Sequence, residues 1–245
     1  MNRRNFLRRF VSALGLSVSG AVVGTLPARG AAEHEPAGRN YGMGIDIEKC
    51  IGCGRCMDAC TTENNVPQPF FYRTWVERYV MKNDGNVIVQ AINKEGEQPV
   101  DPATEHDVLR SFFVPKLCNH CEHPPCVQVC PVGATFKTGD GVVIVDDTRC
   151  IGCRYCIQAC PYGARYLHPE RKTADKCTFC YHRVSKGLLP ACVEVCPTQA
   201  RVFGDLNSTA SPLTRLKRMF KIHVLKDHLN TEPKVLYANL DGEVR

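Results

Sequence analysis

Sixteen cysteines divide into four groups of four with none left over, and this grouping constrains the 245-residue chain more than any other feature. The groups are Cys50, Cys53, Cys56, Cys60; Cys118, Cys121, Cys126, Cys130; Cys150, Cys153, Cys156, Cys160; and Cys177, Cys180, Cys192, Cys196. Each opens Cys-x2-Cys and closes Cys-x3-Cys, and proline follows Cys130, Cys160 and Cys196. Segments this short and this rich in cysteine bury little apolar side chain. Whatever the thiols bind must therefore serve as core, and folding should be coupled to its loading.

The first and third groups carry the full Cys-x2-Cys-x2-Cys-x3-Cys run that bacterial ferredoxins use to hold [4Fe–4S] clusters. Three cysteines at x2 spacing on a tight loop cap three corners of one cubane. The fourth, ahead of the proline, begins the next segment and in two-cluster ferredoxins crosses to the other cluster. Structural zinc prefers Cys-x2-Cys pairs separated by a longer loop, so Cys50 to Cys56 are overcrowded for it. Disulfides are the other rival, since exported cysteines are usually oxidised.

The N-terminus addresses that rival. Residues 2–8 read Asn-Arg-Arg-Asn-Phe-Leu-Arg, a twin-arginine signal followed by a weakly apolar stretch from Phe10 to about Leu26 and a cleavage region at Arg29, Gly30, Ala31 and Ala32. Twin-arginine export carries proteins already folded and loaded, so clusters would occupy the thiolates before any oxidant meets them. The stretch is short and interrupted for a spanning helix. The expectation is a periplasmic protein, soluble once residues 1–32 are removed, held peripherally at the membrane through a partner.

The formal charge of +6 misleads. The leader holds Arg3, Arg4, Arg8, Arg9 and Arg29 and no acid, so taking those five away leaves about +1. Four clusters at about −2 each would bring the loaded chain to about −7, and nothing argues for a nucleic-acid partner. Lys49, Arg55, Lys116, Arg149, Arg154 and Lys176 adjoin the cysteines. They are candidates to offset cluster charge and raise reduction potentials.

Ile45-Asp-Ile-Glu-Lys-Cys-Ile-Gly-Cys53 matches Val145-Asp-Asp-Thr-Arg-Cys-Ile-Gly-Cys153, and Pro125–Pro131 resembles Pro190–Pro197, so a cluster-binding unit is repeated. Val142 to Val145 predicts a short strand leading into the third group. The cysteine-free stretch Thr61 to Leu117 holds the aromatic run Phe70–Tyr79. It also predicts a hairpin of Val87 to Ile92 turning near Asn93–Gly96, and an exposed loop from Gln98 to Asp107. Ser211 to Phe220 spaces Leu213, Leu216, Met219 and Phe220 as a helix face packed on the body, and Val235 to Leu240 suggests a last strand. His120 and His123 lie between ligands of the second group, where a structural or potential-tuning role suits them. Among the residues there is no nucleophile elbow, phosphate loop, dinucleotide fingerprint or acid pair, so no catalytic residue is assigned.

Cys118-Asn-His-Cys-Glu-His-Pro-Pro-Cys126, Cys156-Ile-Gln-Ala-Cys-Pro-Tyr-Gly163, Thr173-Ala-Asp-Lys-Cys-Thr-Phe-Cys180 and Leu188-Leu-Pro-Ala-Cys-Val-Glu-Val-Cys-Pro197 resemble the four-cluster iron–sulfur subunits of the dimethyl-sulfoxide reductase superfamily. The likeness covers essentially all of the chain after the leader and is nearest the tetrathionate, polysulfide and thiosulfate reductase subunits. It implies an α+β fold of two nested ferredoxin-like double-cluster modules. The outer module would comprise 41–60 plus 175–205 and the inner one 118–174, with an insertion at 61–117 and a C-terminal extension at 206–245. The resemblance also implies the ligand sets. Cys50, Cys53 and Cys56 share a cluster with Cys196, and Cys177, Cys180 and Cys192 share one with Cys60. Cys118, Cys121 and Cys126 go with Cys160, and Cys150, Cys153 and Cys156 with Cys130. No cysteine is replaced, so four [4Fe–4S] clusters are expected.

The resemblance further implies an electron-transfer subunit that is no enzyme on its own. Its partners would be a molybdopterin-type catalytic subunit and a polytopic quinone-reactive membrane subunit. Alternatives are a relay for a hydrogenase or multihaem cytochrome complex, and a free-standing polyferredoxin. The 57-residue stretch Thr61 to Leu117 and the long tail argue against the last, since a free carrier needs little beyond its cluster loops.

Overall fold

The computed structural model describes residues 38–92, 106–240 and 244. The leader, the turn expected at Asn93–Gly96 and most of the loop expected at Gln98–Asp107 lie outside the described residues. In chain order the elements are β1 (Tyr41–Asp46), α1 (Arg55–Asn64), β2 (Thr74–Lys82), β3 (Val87–Ala91), β4 (Val108–Leu117), α2 (Pro125–Gln128), β5 (Thr135–Lys137) and β6 (Val143–Val145). Then come α3 (Tyr155–Gln158), β7 (Arg165–Leu167), β8 (Ala174–Lys176), α4 (Tyr181–Val184), α5 (Ala191–Glu194), β9 (Arg201–Asp205), α6 (Pro212–Met219), β10 (Ile222–His223) and β11 (Val235–Ala238).

Among the described residues these strands form four sheets, ordered β10-β11-β1-β9, β3-β2-β4, β5-β6 and β7-β8. The first joins the two ends of the described chain. β1 runs parallel to β11, with Met43 opposite Val235, and antiparallel to β9, with Met43 opposite Phe203. Every residue of β1 and β11 is buried, as suits a strand paired on both edges and covered on its faces.

α6 covers one of those faces. Ser211 caps it by accepting from the Leu213 N–H at 3.3 Å, and Pro212 opens the first turn, where its missing N–H costs nothing. Leu213 and Leu216 are buried against Gly42 and Gly44, whose missing Cβ atoms make room for them. Burial of each leucine contributes about 1.5–3 kcal/mol. Met219, expected on the same face, is 60% exposed.

The cysteine-free stretch forms the β3-β2-β4 sheet. The strand expected from Val87 is present, but its hairpin partner precedes it: β2 pairs antiparallel with β3, Tyr79 facing Val89. The turn is Asn83–Asn86, where Gly85 takes φ +84° and Asp84 accepts from the Asn86 N–H at 2.9 Å. A carboxylate closing its own turn beside a glycine free to adopt positive φ is the stronger signal. Val143–Val145 pairs with Thr135–Lys137, and Arg165–Leu167 with Ala174–Lys176. These ribbons have three residues per strand, too few to stand alone. The segment 231–234 then crosses the second cysteine loop: Glu122 N–H donates to the Glu232 carbonyl at 2.9 Å, Lys234 N–H to that of Asn119 at 2.9 Å. Among the described residues no helix is long and apolar enough to cross a membrane.

Candidate iron–sulfur centres

The Cys-x3-Cys closure has a geometric meaning. Four residues span slightly more than one α-helical turn and rise about 6 Å, so both sulfurs leave one helix face, one above the other. Cys56 and Cys60 lie together on α1; Cys126, Cys156 and Cys192 lie on α2, α3 and α5, and Cys130, Cys160 and Cys196 just beyond those helices. Each short helix can thus serve two neighbouring sites.

None of the sixteen cysteines is joined in a disulfide. Three cavities are each lined by four of them. Cys50, Cys53, Cys56 and Cys196 line one. Cys60, Cys177, Cys180 and Cys192 line a second, and Cys118, Cys121, Cys126 and Cys160 a third. The remaining four are Cys130, Cys150, Cys153 and Cys156. Arg149 donates to the Val132 carbonyl at 3.0 Å, tying the turn after Cys130 to the loop that starts at Cys150. Cys153 is the one exposed cysteine of the sixteen.

Tetrahedral zinc at about 2.3 Å from each sulfur needs sulfurs roughly 3.8 Å apart. Among the described residues no three Cys, His, Asp or Glu side chains are arranged to hold a single metal ion. Four thiols around one cavity without a single-ion arrangement is the donor set an iron–sulfur core takes. Burial pushes the thiols of Cys50 and Cys192 up to about 11 and that of Cys121 up to about 12. These sulfurs become thiolates only with a cationic partner among them, as metal ligation provides. Burial would also raise Cys130 and Cys196, but the backbone N–H groups of Val132, Ala134 and Thr135, and of Thr198, Ala200 and Arg201, with the Thr135 and Thr198 hydroxyls, outweigh it and hold both below the usual thiol value.

Polar side chains differentiate the sites. Arg201 donates to Cys56 Sγ at 3.4 Å and Arg165 to Cys126 Sγ at 3.0 Å. Asn64 reaches Cys60 Sγ and Cys180 Sγ, both at 3.6 Å, and is itself held by Arg73 at 2.9 Å. For both sulfur-bound arginines burial opposes the charge, and the surrounding cysteine sulfurs outweigh it.

Most of the basic residues singled out beside the cysteines behave otherwise. Lys49, Arg55, Arg149 and Arg154 are exposed, and Lys116 is buried but paired with Glu77 at 2.7 Å. Lys176 is the exception: it is buried with Cys118, Cys126 and Cys177 around its charge, while its donors go to the backbone carbonyls of Val143 and Cys177. Arg165 and Arg201 were missed, although a repeat marks them. Cys130-Pro-Val-Gly-Ala-Thr135, Cys160-Pro-Tyr-Gly-Ala-Arg165 and Cys196-Pro-Thr-Gln-Ala-Arg201 place a strand-opening residue five positions after the closing cysteine.

His120 is buried and stacks on Phe179 at 3.7 Å between ring centroids, and its Nδ1 accepts from the Val143 N–H at 3.1 Å. Burial first, then Lys176, Lys234 and Arg165 nearby, push its pKa well down, so the imidazole is neutral. His123 is exposed and lies 3.5 Å from Glu232.

Family models described as 4Fe-4S dicluster domains match residues 49–134 and 109–206. The B subunit of the tetrathionate reductase of Salmonella typhimurium is 42% identical, covering 98% of this chain and 91% of its own length. Protein NrfC of Escherichia coli is 41% identical over 96% of this chain and 93% of its own. The Hdr-like menaquinol oxidoreductase iron–sulfur subunit 1 of Archaeoglobus fulgidus is 35% identical over 84% and 85%. Two dicluster domains and sixteen cysteines account for four [4Fe–4S] clusters. The chain belongs to the family of four-cluster ferredoxin-type iron–sulfur subunits of the dimethyl-sulfoxide reductase superfamily.

Proposed function

We propose that this chain relays single electrons between a quinone-reactive membrane subunit and a molybdopterin-type catalytic subunit, on the outer side of the cytoplasmic membrane after twin-arginine export. The bound [4Fe–4S] clusters supply one-electron storage at each of four sites. In this reading the ligand sets are nested as the cysteine-lined cavities are, with Cys130 completing the set of Cys150, Cys153 and Cys156.

The observation that carries the reading is the succession of the sites. Cys56 and Cys60, one helical turn apart on α1, link the cavity of Cys50 to that of Cys177. The loops of Cys177 and Cys118 meet where Phe179 stacks on His120. Cys126 and Cys130 flank the end of α2, and Cys156 and Cys160 that of α3, so the third and fourth sets adjoin. The sites then succeed one another from the set that holds Cys53 to the set that holds Cys153. Ile51 is 58% and Ile151 65% exposed beside the two ends of that succession, which suits docking of a donor at one and an acceptor at the other. A menaquinol oxidoreductase among the relatives supports a quinol-linked partner.

The test is anaerobic purification of the full chain from gently solubilised membranes. About sixteen irons per chain, together with a molybdopterin-containing and a polytopic subunit, are expected. Iron well below that, or a [3Fe–4S] signal intrinsic to the preparation, overturns the four cubanes. Recovery as a lone soluble protein overturns the relay in favour of a diffusing carrier.

A further inference from the structure

Among the described residues six cationic side chains are buried: Arg73, Lys116, Arg165, Lys176, Arg201 and Lys234. A buried charge needs a partner of opposite sign. Arg73 has Asp175, Lys116 has Glu77 and Lys234 has Glu122, each at 2.7 Å. Arg165 and Arg201 have no carboxylate partner among the described residues, and Arg165 Nε and Arg201 Nη1 are buried with no hydrogen-bond partner at all. Lys176 also lacks a carboxylate, but two carbonyls take its donors.

The two arginines are equivalents. Each opens a strand five residues after the closing cysteine of its group, following a buried alanine, Ala164 or Ala200. Each also faces two sites. Arg165 Nη2 donates to Cys126 Sγ, while its Nη1 donates at 3.4 Å to Thr135, which opens the strand after Cys130. Arg201 Nη2 donates both to Cys56 Sγ and, at 2.8 Å, to Thr74 Oγ1, and Thr74 lines the cavity of Cys60 and Cys177.

We infer that Arg165 and Arg201 are potential-setting residues, each a fixed positive charge between the two cluster sites of one module, with the clusters themselves as its counter-ion. The inference rests on the four-cluster reading above. A guanidinium keeps its proton under all ordinary conditions, so each reduction adds one electron and takes up no proton at the arginine. The added negative charge is stabilised by the cation, and both flanking couples are raised together. Thr135, at the position equivalent to the arginines, brings no such charge to the opening of β5.

The test is an anaerobic redox titration of the full chain in its complex, followed by EPR, for Arg165→Gln, Arg201→Gln and the charge-retaining Arg165→Lys and Arg201→Lys. Iron content of the wild-type protein checks the four-cluster reading separately. Arg165→Gln should lower two of the four potentials by at least about tenfold in the reduction equilibrium, about 59 mV for a one-electron couple. Arg201→Gln should lower the other two. The lysine variants should restore most of each shift. Unchanged potentials, equal movement of all four, or shifts as large in Lys as in Gln would overturn the inference. If a Gln variant loads less iron than wild type, full loading of its Lys counterpart supports the counter-ion role, and loss of iron in both overturns it.

Discussion

The guanidinium of Arg201 reaches Cys56 Sγ at 3.4 Å although the two residues stand 145 positions apart. The contact exists because β9 pairs with β1, which delivers the end of the fourth cysteine group to the start of the first. Cys196 comes with it, into the cavity of Cys50, Cys53 and Cys56.

Cys196→Ala should therefore remove the same cluster as Cys53→Ala, and leave the one that depends on Cys177. Each variant should lose about a quarter of the iron. EPR of Cys196→Ala, Cys53→Ala and Cys177→Ala decides: a spectrum of Cys196→Ala that matches Cys177→Ala would mean pairing by sequence neighbourhood.

Local features were legible in the sequence, and contacts between distant segments were not. The strand at Val143, the helix at Ser211 and the strand at Val235 carry their own spacing and punctuation. The parallel pairing of β1 with β11 has no local signature, because Met43 and Val235 come from opposite ends of the described chain. Arg165 and Arg201 were overlooked for a related reason: proximity in sequence pointed to Lys49 and Arg154, whereas Arg165 and Arg201 are aimed at sulfur by the strands they open. Met219 has helical spacing and ends α6, but Phe220, one residue on, is the one that packs against the cluster of Leu213 and Leu216.

Gly44→Ala should destabilise the protein by about 1–3 kcal/mol, the usual cost of overpacking a filled core. A methyl group there meets Leu213 and Leu216, and β1 cannot retreat because both of its edges are paired. Leu216→Ala should cost about 2–5 kcal/mol. Combined, the two should cost less than the sum of their separate effects, since the new methyl enters the space that Leu216 vacates. Denaturant melts of the loaded protein check the sign of that coupling.

Asp175→Ala should cost about 3–5 kcal/mol, because it strands a buried cation. Asp175 accepts from Arg73 at 2.7 Å, from Arg171 at 3.2 Å and from the Tyr166 hydroxyl. Arg73 in turn holds Asn64 beside Cys60 and Cys180. The double variant Arg73→Met/Asp175→Ala should recover part of the loss. Thermal melts of the three proteins test this, and a double variant no more stable than Asp175→Ala would count against the ion pair as the cause.

Iron removal should unfold the molecule in a definite order. The two ribbons β5-β6 and β7-β8 have three residues per strand, and the apolar cluster of their Val143 and Ala174 is completed by Cys126, Cys156, Val127 and Ile157 on the cysteine-bearing helices. With the thiols empty, their remaining burial cannot offset the entropy of ordering their backbone. The β3-β2-β4 sheet has longer strands and its own apolar contacts, among them Val76, Tyr79, Val80, Phe112 and Val114. Anaerobic chelation followed by hydrogen exchange should therefore show protection lost first at Thr135–Lys137, Val143–Val145 and Arg165–Leu167, and retained longest at Thr74–Val80 opposite Ser111–Leu117. Simultaneous loss in both regions would mean that the sheet, too, depends on iron, through α1 and the Cys50 loop packed against it.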